Sequence, residues 1–239
     1  GSNSFTADGP CLIVSNDLAV SAYTVIDGKL YLSDREKLLS VPVSGGFTTV
    51  LADGLAGDAE GKIAVDANHV YLLANGDGSD EVVRVPLTGG TVEILASAGS
   101  IDGIAVDDDN IFWLDAWAGE LRTTPKLGGP VATAATNVYV GDRMIVRDGY
   151  LYFPGSQAIN RIPLGGPFPA SPASIPLGYY PTDFAVGPSD VFFASTELVA
   201  RIPLSGGGLV ELATGQKSAE VLTIDDSWVY YAPSYAGPP

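Results

Sequence analysis

Six copies of a unit of roughly forty residues, four short strand signals in each copy, and two chain ends that each carry half a copy predict an all-β fold. That fold is a six-bladed β-propeller of four-stranded antiparallel blades. The repeat is clearest at an apolar-aromatic step, which returns at Leu30-Tyr31, Val70-Tyr71, Ile111-Phe112, Leu151-Tyr152, Val191-Phe192 and Val229-Tyr230, at intervals of 40, 41, 40, 40 and 38 residues. A regular period of this length marks a solenoid, propeller or array, in which neighbouring units bury one another's apolar faces. Residues 1–239 are accordingly expected to form a single domain.

Each unit resolves into strands a to d. Strand a reads Ile63-Ala64-Val65, Ile104-Ala105-Val106, Phe184-Ala185-Val186 or Leu222-Thr223-Ile224. A polar turn follows, such as Asp66-Ala67-Asn68, Asp107-Asp108-Asp109-Asn110 or Asp148-Gly149, and turns of this composition join hairpins. Strand b is the apolar-aromatic step. Strand c ends in Val85-Pro86-Leu87, Ile162-Pro163-Leu164 or Ile202-Pro203-Leu204, and a glycine pair comes next: Gly45-Gly46, Gly89-Gly90, Gly128-Gly129, Gly165-Gly166 and Gly206-Gly207. These pairs read as two-residue hairpins, because glycine tolerates the positive φ such turns need. Strand d is Thr48-Thr49-Val50-Leu51, Val92-Glu93-Ile94-Leu95 or Val210-Glu211-Leu212-Ala213.

The last unit stops after its strands a and b. Ser4–Pro10 aligns with the strand c segment Arg84–Gly90, and Cys11-Leu12-Ile13-Val14 supplies a strand d, so the two ends sum to one blade. Closing a ring this way would pair strand edges that are otherwise exposed.

Composition narrows the function. Twenty-eight acids against twelve bases give a net charge of −16, which repels phosphate backbones and anionic lipid, so nucleic acid and membrane insertion are not expected. No apolar run reaches the roughly 20 residues of a membrane span, and no charged n-region precedes an apolar h-region. Gly1-Ser2 reads as a cloning remnant that could replace a native leader, and an extracellular, periplasmic or surface-anchored location is the expectation. Cys11 is the sole cysteine and His69 the sole histidine. Thiol catalysis, a Ser-His-Asp triad and a His-rich metal site therefore have no evident construction. The chain is expected to be a monomer.

The third unit, Gly103-Ile104-Ala105-Val106-Asp107 followed by Ile111-Phe112-Trp113-Leu114-Asp115, resembles the repeats of six-bladed propellers of the YWTD and NHL (TolB-like) type, among them bacterial exported repeat proteins. At the end of strand b the first unit also has an Asp, Asp34, whereas the others have Asn75, Gly155, Thr196 or Ser234. The resemblance implies the fold. Its members bind proteins, RNA and small molecules or hydrolyse lactones, so it does not choose among functions.

In this topology the d-to-a and b-to-c connections share one face, and they vary most in length and composition. Binding is expected there. The residues before each strand a are expected to ring the channel mouth: Tyr23, Glu60, Lys62, Asp102, Asp142, Arg143, Asp183 and Glu220. The carboxylates of Glu60, Asp102, Asp142, Asp183 and Glu220 are candidate ligands of a hard cation such as Ca²⁺, or of a cationic or polyhydroxylated molecule. Alternatively, Lys62 and Arg143 neutralise part of that ring and water solvates the rest. Resemblance to gluconolactonase-like propellers implies one axial divalent cation held by Glu, Asn and Asp, although Asn is missing from the aligned positions here. Trp117, Tyr139, Tyr179, Tyr180 and Tyr235 form a candidate aromatic rim able to stack on sugars or hold a cation. Trp113 and the strand b aromatics Tyr71, Phe112, Tyr152 and Phe192 are expected in the core. The stretch Asn75–Glu81 alternates oxygen-bearing side chains with glycines but lacks EF-hand spacing, and it reads as a surface loop.

Three functions follow. The first is a noncatalytic protein that holds a small polar ligand, glycan or peptide on the loop-rich face. The second is a metal-dependent hydrolase of the lactonase kind, in which the cation polarises a carbonyl. The third is a structural scaffold for protein assembly.

Overall fold

The structure is a computed structural model that describes residues 20–34, 36–55, 63–75, 78–138, 141, 143–215, 219–225 and 227–233. All of its regular elements are strands. β1 (Val20–Ile26), β2 (Lys29–Asp34), β3 (Lys37–Pro42) and β4 (Thr49–Asp53) form the first four-stranded sheet in chain order. The second contains β5 (Ala64–Val65), β6 (His69–Asn75), β7 (Asp80–Pro86) and β8 (Glu93–Ala98), and the third β9 (Ile101–Val106), β10 (Asn110–Asp115), β11 (Glu120–Pro125) and β12 (Ala132–Thr136). β13 (Ile145–Arg147), β14 (Tyr150–Gly155), β15 (Ala158–Pro163) and β16 (Ala173–Pro176) make the fourth; β17 (Asp183–Val186), β18 (Asp190–Ala194), β19 (Leu198–Pro203) and β20 (Val210–Thr214) make the fifth. β21 (Ala219–Ile224) and β22 (Val229–Pro233) pair as a two-stranded sheet, the sixth blade. Ser4–Val14, the segment expected to complete it, lies outside the described residues.

The chain divides into two compact units, residues 1–111 with 124–131 and residues 112–123 with 132–239. Leu38, Leu51, Val70, Leu72, Val83 and Val85 centre the core of the first. In the second, Tyr152, Ile159, Phe184, Val191, Phe193 and Ile202 form one cluster, and Ala194, Val199, Ala219 and Leu222 another. Strand b is apolar at nearly every position because both of its faces are covered. Tyr71, Phe112, Trp113 and Tyr152 are buried as expected, whereas Phe192 is half-buried. Each buried aromatic of this size contributes roughly 1.5–3 kcal/mol of hydrophobic stabilisation.

The hairpin turns obey backbone chemistry. Asp27-Gly28 and Asp148-Gly149 have φ of 48° and 71°, and of 49° and 75°, the left-handed pair that a two-residue type I′ turn requires. The longer a-to-b turns are instead capped by aspartate. Asp66 Oδ1 accepts from the Asn68 and His69 amides at 2.8 and 2.9 Å, Asp107 Oδ1 from Asp109 and Asn110, and Asp225 Oδ1 from Ser227 and Trp228.

The glycine pairs correct the sequence expectation. They do not close two-residue hairpins, since β3 ends at Pro42 and β4 begins at Thr49, and β7 ends at Pro86 and β8 begins at Glu93. The first glycine instead ends a tight turn begun by the strand c proline: Gly45, Gly89, Gly128 and Gly206 donate their amides to Pro42, Pro86, Pro125 and Pro203 at 2.8–3.0 Å. One further bond recurs. The amides of Val43, Leu87, Lys126, Leu164 and Leu204 donate to the carbonyls of Gly28, Asn68, Asp109, Gly149 and Ser189, which fastens each c-to-d loop to the a-to-b turn of its own blade.

Candidate functional site

In the second unit, the b-to-c turn of the third blade and the d-to-a connections carry the exposed side chains of the expected binding face. Asp115 holds the first of these firmly. Its Oδ1 accepts from Ala118 at 3.0 Å, its carbonyl accepts from Gly119 at 2.9 Å, and the Gly119 carbonyl accepts from Val138 at 3.2 Å. Trp117 projects from this fixed turn with 79% of its surface exposed. Tyr180 is 57% exposed, while its neighbour Tyr179 is half-buried and packs against the core, with its ring 6.3 Å from that of Phe193. The expected aromatic rim is thus split by packing. Tyr139 and Tyr235 lie outside the described residues.

The expected ring of carboxylates meets a different fate. Asp183 is buried, and its Oδ2 accepts from the Leu222 amide at 2.7 Å and faces the Arg143 guanidinium at 3.3 Å; Oδ1 takes its neighbour's amide, from Phe184, at 2.9 Å. Beside it, the Thr182 hydroxyl donates to the Ala219 carbonyl. These groups fasten β17 to β21. Asp102 lies half-buried within β9, one residue out of register with Asp183 when both blades are aligned on their strand b aromatics, so the two point to opposite faces of their strands. In the first unit, Tyr23 stands in the middle of β1 opposite Leu32 and is 61% exposed. Glu220 is a residue of β21; Glu60, Lys62 and Asp142 lie outside the described residues. No group of three or more potential metal-ligating side chains occurs among the described residues. In the Asn75–Glu81 stretch, Asn75 ends β6 and Asp80 begins β7, where its Oδ2 accepts from the Ile101 amide at 2.8 Å.

The first unit also holds a cleft at the hairpin ends of its strands, which sequence reasoning did not single out. It has a volume of about 540 Å³ and is lined by Asp66, His69, Tyr71, Arg84 and Lys126, with Asn68, Asn110, Asp108, Asp109, Pro125 and Leu127 around them. At its floor, Asp66 Oδ2 receives the Lys126 ammonium at 2.8 Å and the Tyr71 hydroxyl at 3.0 Å. Burial alone would raise the Asp66 carboxyl, but the Lys126 ammonium, the Asn68 and His69 amides and the Tyr71 hydroxyl outweigh it and bring the pKa down to about 2. Burial and the neighbouring carboxylate push the Tyr71 phenol far up. Arg84 is held by Glu93 at 2.6 Å and also donates to the Lys126 carbonyl. His69 is the first residue of β6, directly after the Asp66–Asn68 turn.

The signal for this floor is a spacing, Asp-x-x-x-x-Tyr. It recurs in the sixth blade, where the Tyr230 hydroxyl donates to Asp225 Oδ2 at 2.8 Å. Hydrogen bonds from Ser227, Tyr230 and Trp228 lower the Asp225 carboxyl, and the carboxylate raises the Tyr230 phenol. In the third blade the aromatic is Phe112, which has no hydroxyl to offer Asp107. In the fifth, Gly187 takes the aspartate's place, and a Cβ there would lie 3.0 Å from the ring of Phe192.

Against known structures, the chain is similar to several β-propeller proteins. A catalytically inactive virginiamycin B lyase from Staphylococcus aureus, solved with quinupristin, aligns at a TM-score of 0.71 and 15% identity over 93% of this chain and 80% of that one. A streptogramin B lyase aligns at 0.67 and 16% identity, over 91% and 77% of the two chains. A chain from a nidogen/laminin complex aligns at 0.65 and 16% identity, over 82% and 80%. No family model matches the sequence, and no curated protein does. At these identities the likeness establishes the fold, a β-propeller, and the neighbours that share it include both enzymes and proteins found in complexes.

Proposed function

We propose that this protein is a noncatalytic binding protein that holds a polar ligand, a glycan or a peptide, through the variable connections of its blades. The observation that carries the reading is Trp117, whose indole stands almost wholly in solvent on a turn pinned by Asp115. Exposing a tryptophan forgoes roughly 2–3 kcal/mol of burial, and a rigid turn leaves little entropy to lose when a partner covers it. Tyr180 adds a second exposed aromatic in the same unit. Asp183 supports binding over metal-assisted hydrolysis, because its carboxylate is committed to Leu222 and Arg143. The nidogen/laminin complex among the structural neighbours is a precedent for a propeller-like chain in a protein assembly.

A glycan array and a peptide array probed with the protein test this reading. Ligands captured by the wild type should lose at least tenfold in affinity with Trp117→Ala and with Tyr180→Ala, while thermal midpoints stay unchanged. Retained affinity in both variants would remove the aromatic contact and with it the proposal.

A further inference from the structure

We infer that the cleft floored by Asp66 and Lys126 is a second binding site, one that takes a lysine or arginine side chain presented by a partner peptide. Its volume of about 540 Å³ falls within the range of small-ligand pockets and exceeds what one such side chain needs. Two kinds of wall make it selective. Pro125 and Leu127 give an apolar side, and Leu127 is 90% exposed, so an aliphatic stem laid along it would remove apolar surface from water. The rest of the lining is polar, and it includes the side-chain carboxamides of Asn68 and Asn110 and the imidazole of His69, groups able to bond a peptide backbone.

Charge then decides the sign of the ligand. Both lining cations are already paired: Lys126 with Asp66 in the cleft, and Arg84 with Glu93 outside its lining. Asp108 and Asp109 remain at the mouth, exposed and without an ion pair among the described residues. Their backbone is fixed, since the Asp109 and Asn110 amides bond Asp107 and the Asp109 carbonyl accepts from the Lys126 amide at 2.9 Å. An anionic ligand would meet two carboxylates and no available cation. A cationic side chain would meet those carboxylates with its stem on Leu127, and Lys126 shows the same chemistry within the chain, an ammonium seated on the carboxylate of Asp66. Its lining residues all belong to the first unit, whereas the Trp117 turn belongs to the second.

The test uses a capped trilysine peptide amide titrated into the intact protein at low salt, with a capped triglutamate peptide as its counterpart. His69 is the only histidine, so its imidazole proton resonances report directly on this cleft. Trilysine should shift them saturably and triglutamate should not. The double variant Asp108→Asn/Asp109→Asn should weaken trilysine binding roughly tenfold, the effect of losing two exposed ion pairs. Glu36→Gln/Glu197→Gln removes the same charge from exposed positions elsewhere and should leave the affinity within about twofold. Trp117→Ala should have no effect, which separates this site from the one proposed above. Silence of the His69 resonances, or equal weakening by both double variants, would overturn the inference by showing either no site or mere attraction to net charge. Tighter binding of spermidine than of trilysine would overturn the peptide as occupant.

Discussion

Replacing Asp66 by Asn removes one negative charge from the cleft floor while keeping a side-chain oxygen to accept from the Asn68 and His69 amides. What is lost is the attraction to Lys126 and the carboxylate oxygen that accepts the Tyr71 hydroxyl. Lowering the carboxyl from its ordinary 3.8 to about 2 corresponds to roughly 2.5 kcal/mol of preference for the ionised form in the folded protein. The cleft is open to water and the Asp66 side chain is 18% exposed, so screening reduces the expected contribution to about 1–2 kcal/mol. The sign follows from linkage. Asp66 has a lower pKa folded than unfolded, so its contribution is complete above about pH 5 and drains away as the pH falls through 2. At pH 7 the variant should therefore melt about 2–6 °C below the wild type, and most of the gap should close by pH 2. Thermal unfolding followed by tryptophan fluorescence at pH 7, 5, 4, 3 and 2 measures that gap, and taking the difference cancels the other acids. A gap that persists unchanged at pH 2 would show that the loss is steric and would refute the charge argument. A variant as stable as the wild type at pH 7 would refute the pair itself.

Two other perturbations probe the scaffold. Asp183→Ala leaves the Leu222 amide without its acceptor and the Arg143 guanidinium without its carboxylate; about 2–4 kcal/mol of stability should be lost, read by urea denaturation, and a loss under 1 kcal/mol would mean that the fastening of β17 to β21 is dispensable. Gly187→Ala should cost about 1 kcal/mol through its 3.0 Å approach to Phe192, and Gly187→Ala combined with Phe192→Leu should recover most of that, because the smaller side chain lacks the ring edge. Additive losses in the double variant would show that the two side chains do not meet.

Much of the fold could be read from periodicity because an apolar step every forty residues has one economical explanation, neighbouring sheets burying each other's faces. Tyr71, Phe112, Trp113 and Tyr152 are therefore in the core where the repeat placed them. The turn at the glycine pairs was misread because composition reports tolerance for positive φ and says nothing about which hydrogen bond closes the loop. Pro42 and its counterparts supply that bond from the strand itself.

The sites divide along the same line. The exposure of Trp117 could be expected from sequence, since a tryptophan in a variable connection has few packing partners along the chain. Tyr179 looked equivalent to Tyr180 in sequence, yet contact with Phe193 draws one ring inward and leaves the other in solvent. Asp183 resembled a solvated channel residue until β21 brought the Leu222 amide to it. Asp66 and Lys126 are sixty positions apart and belong to different blades. Local sequence fixes which segments become strands, because side-chain alternation and turn chemistry act over a few residues. Which carboxylates serve as fasteners, which pair with a cation and which stay exposed depends on groups brought together from distant positions, and only the packed sheets decide that.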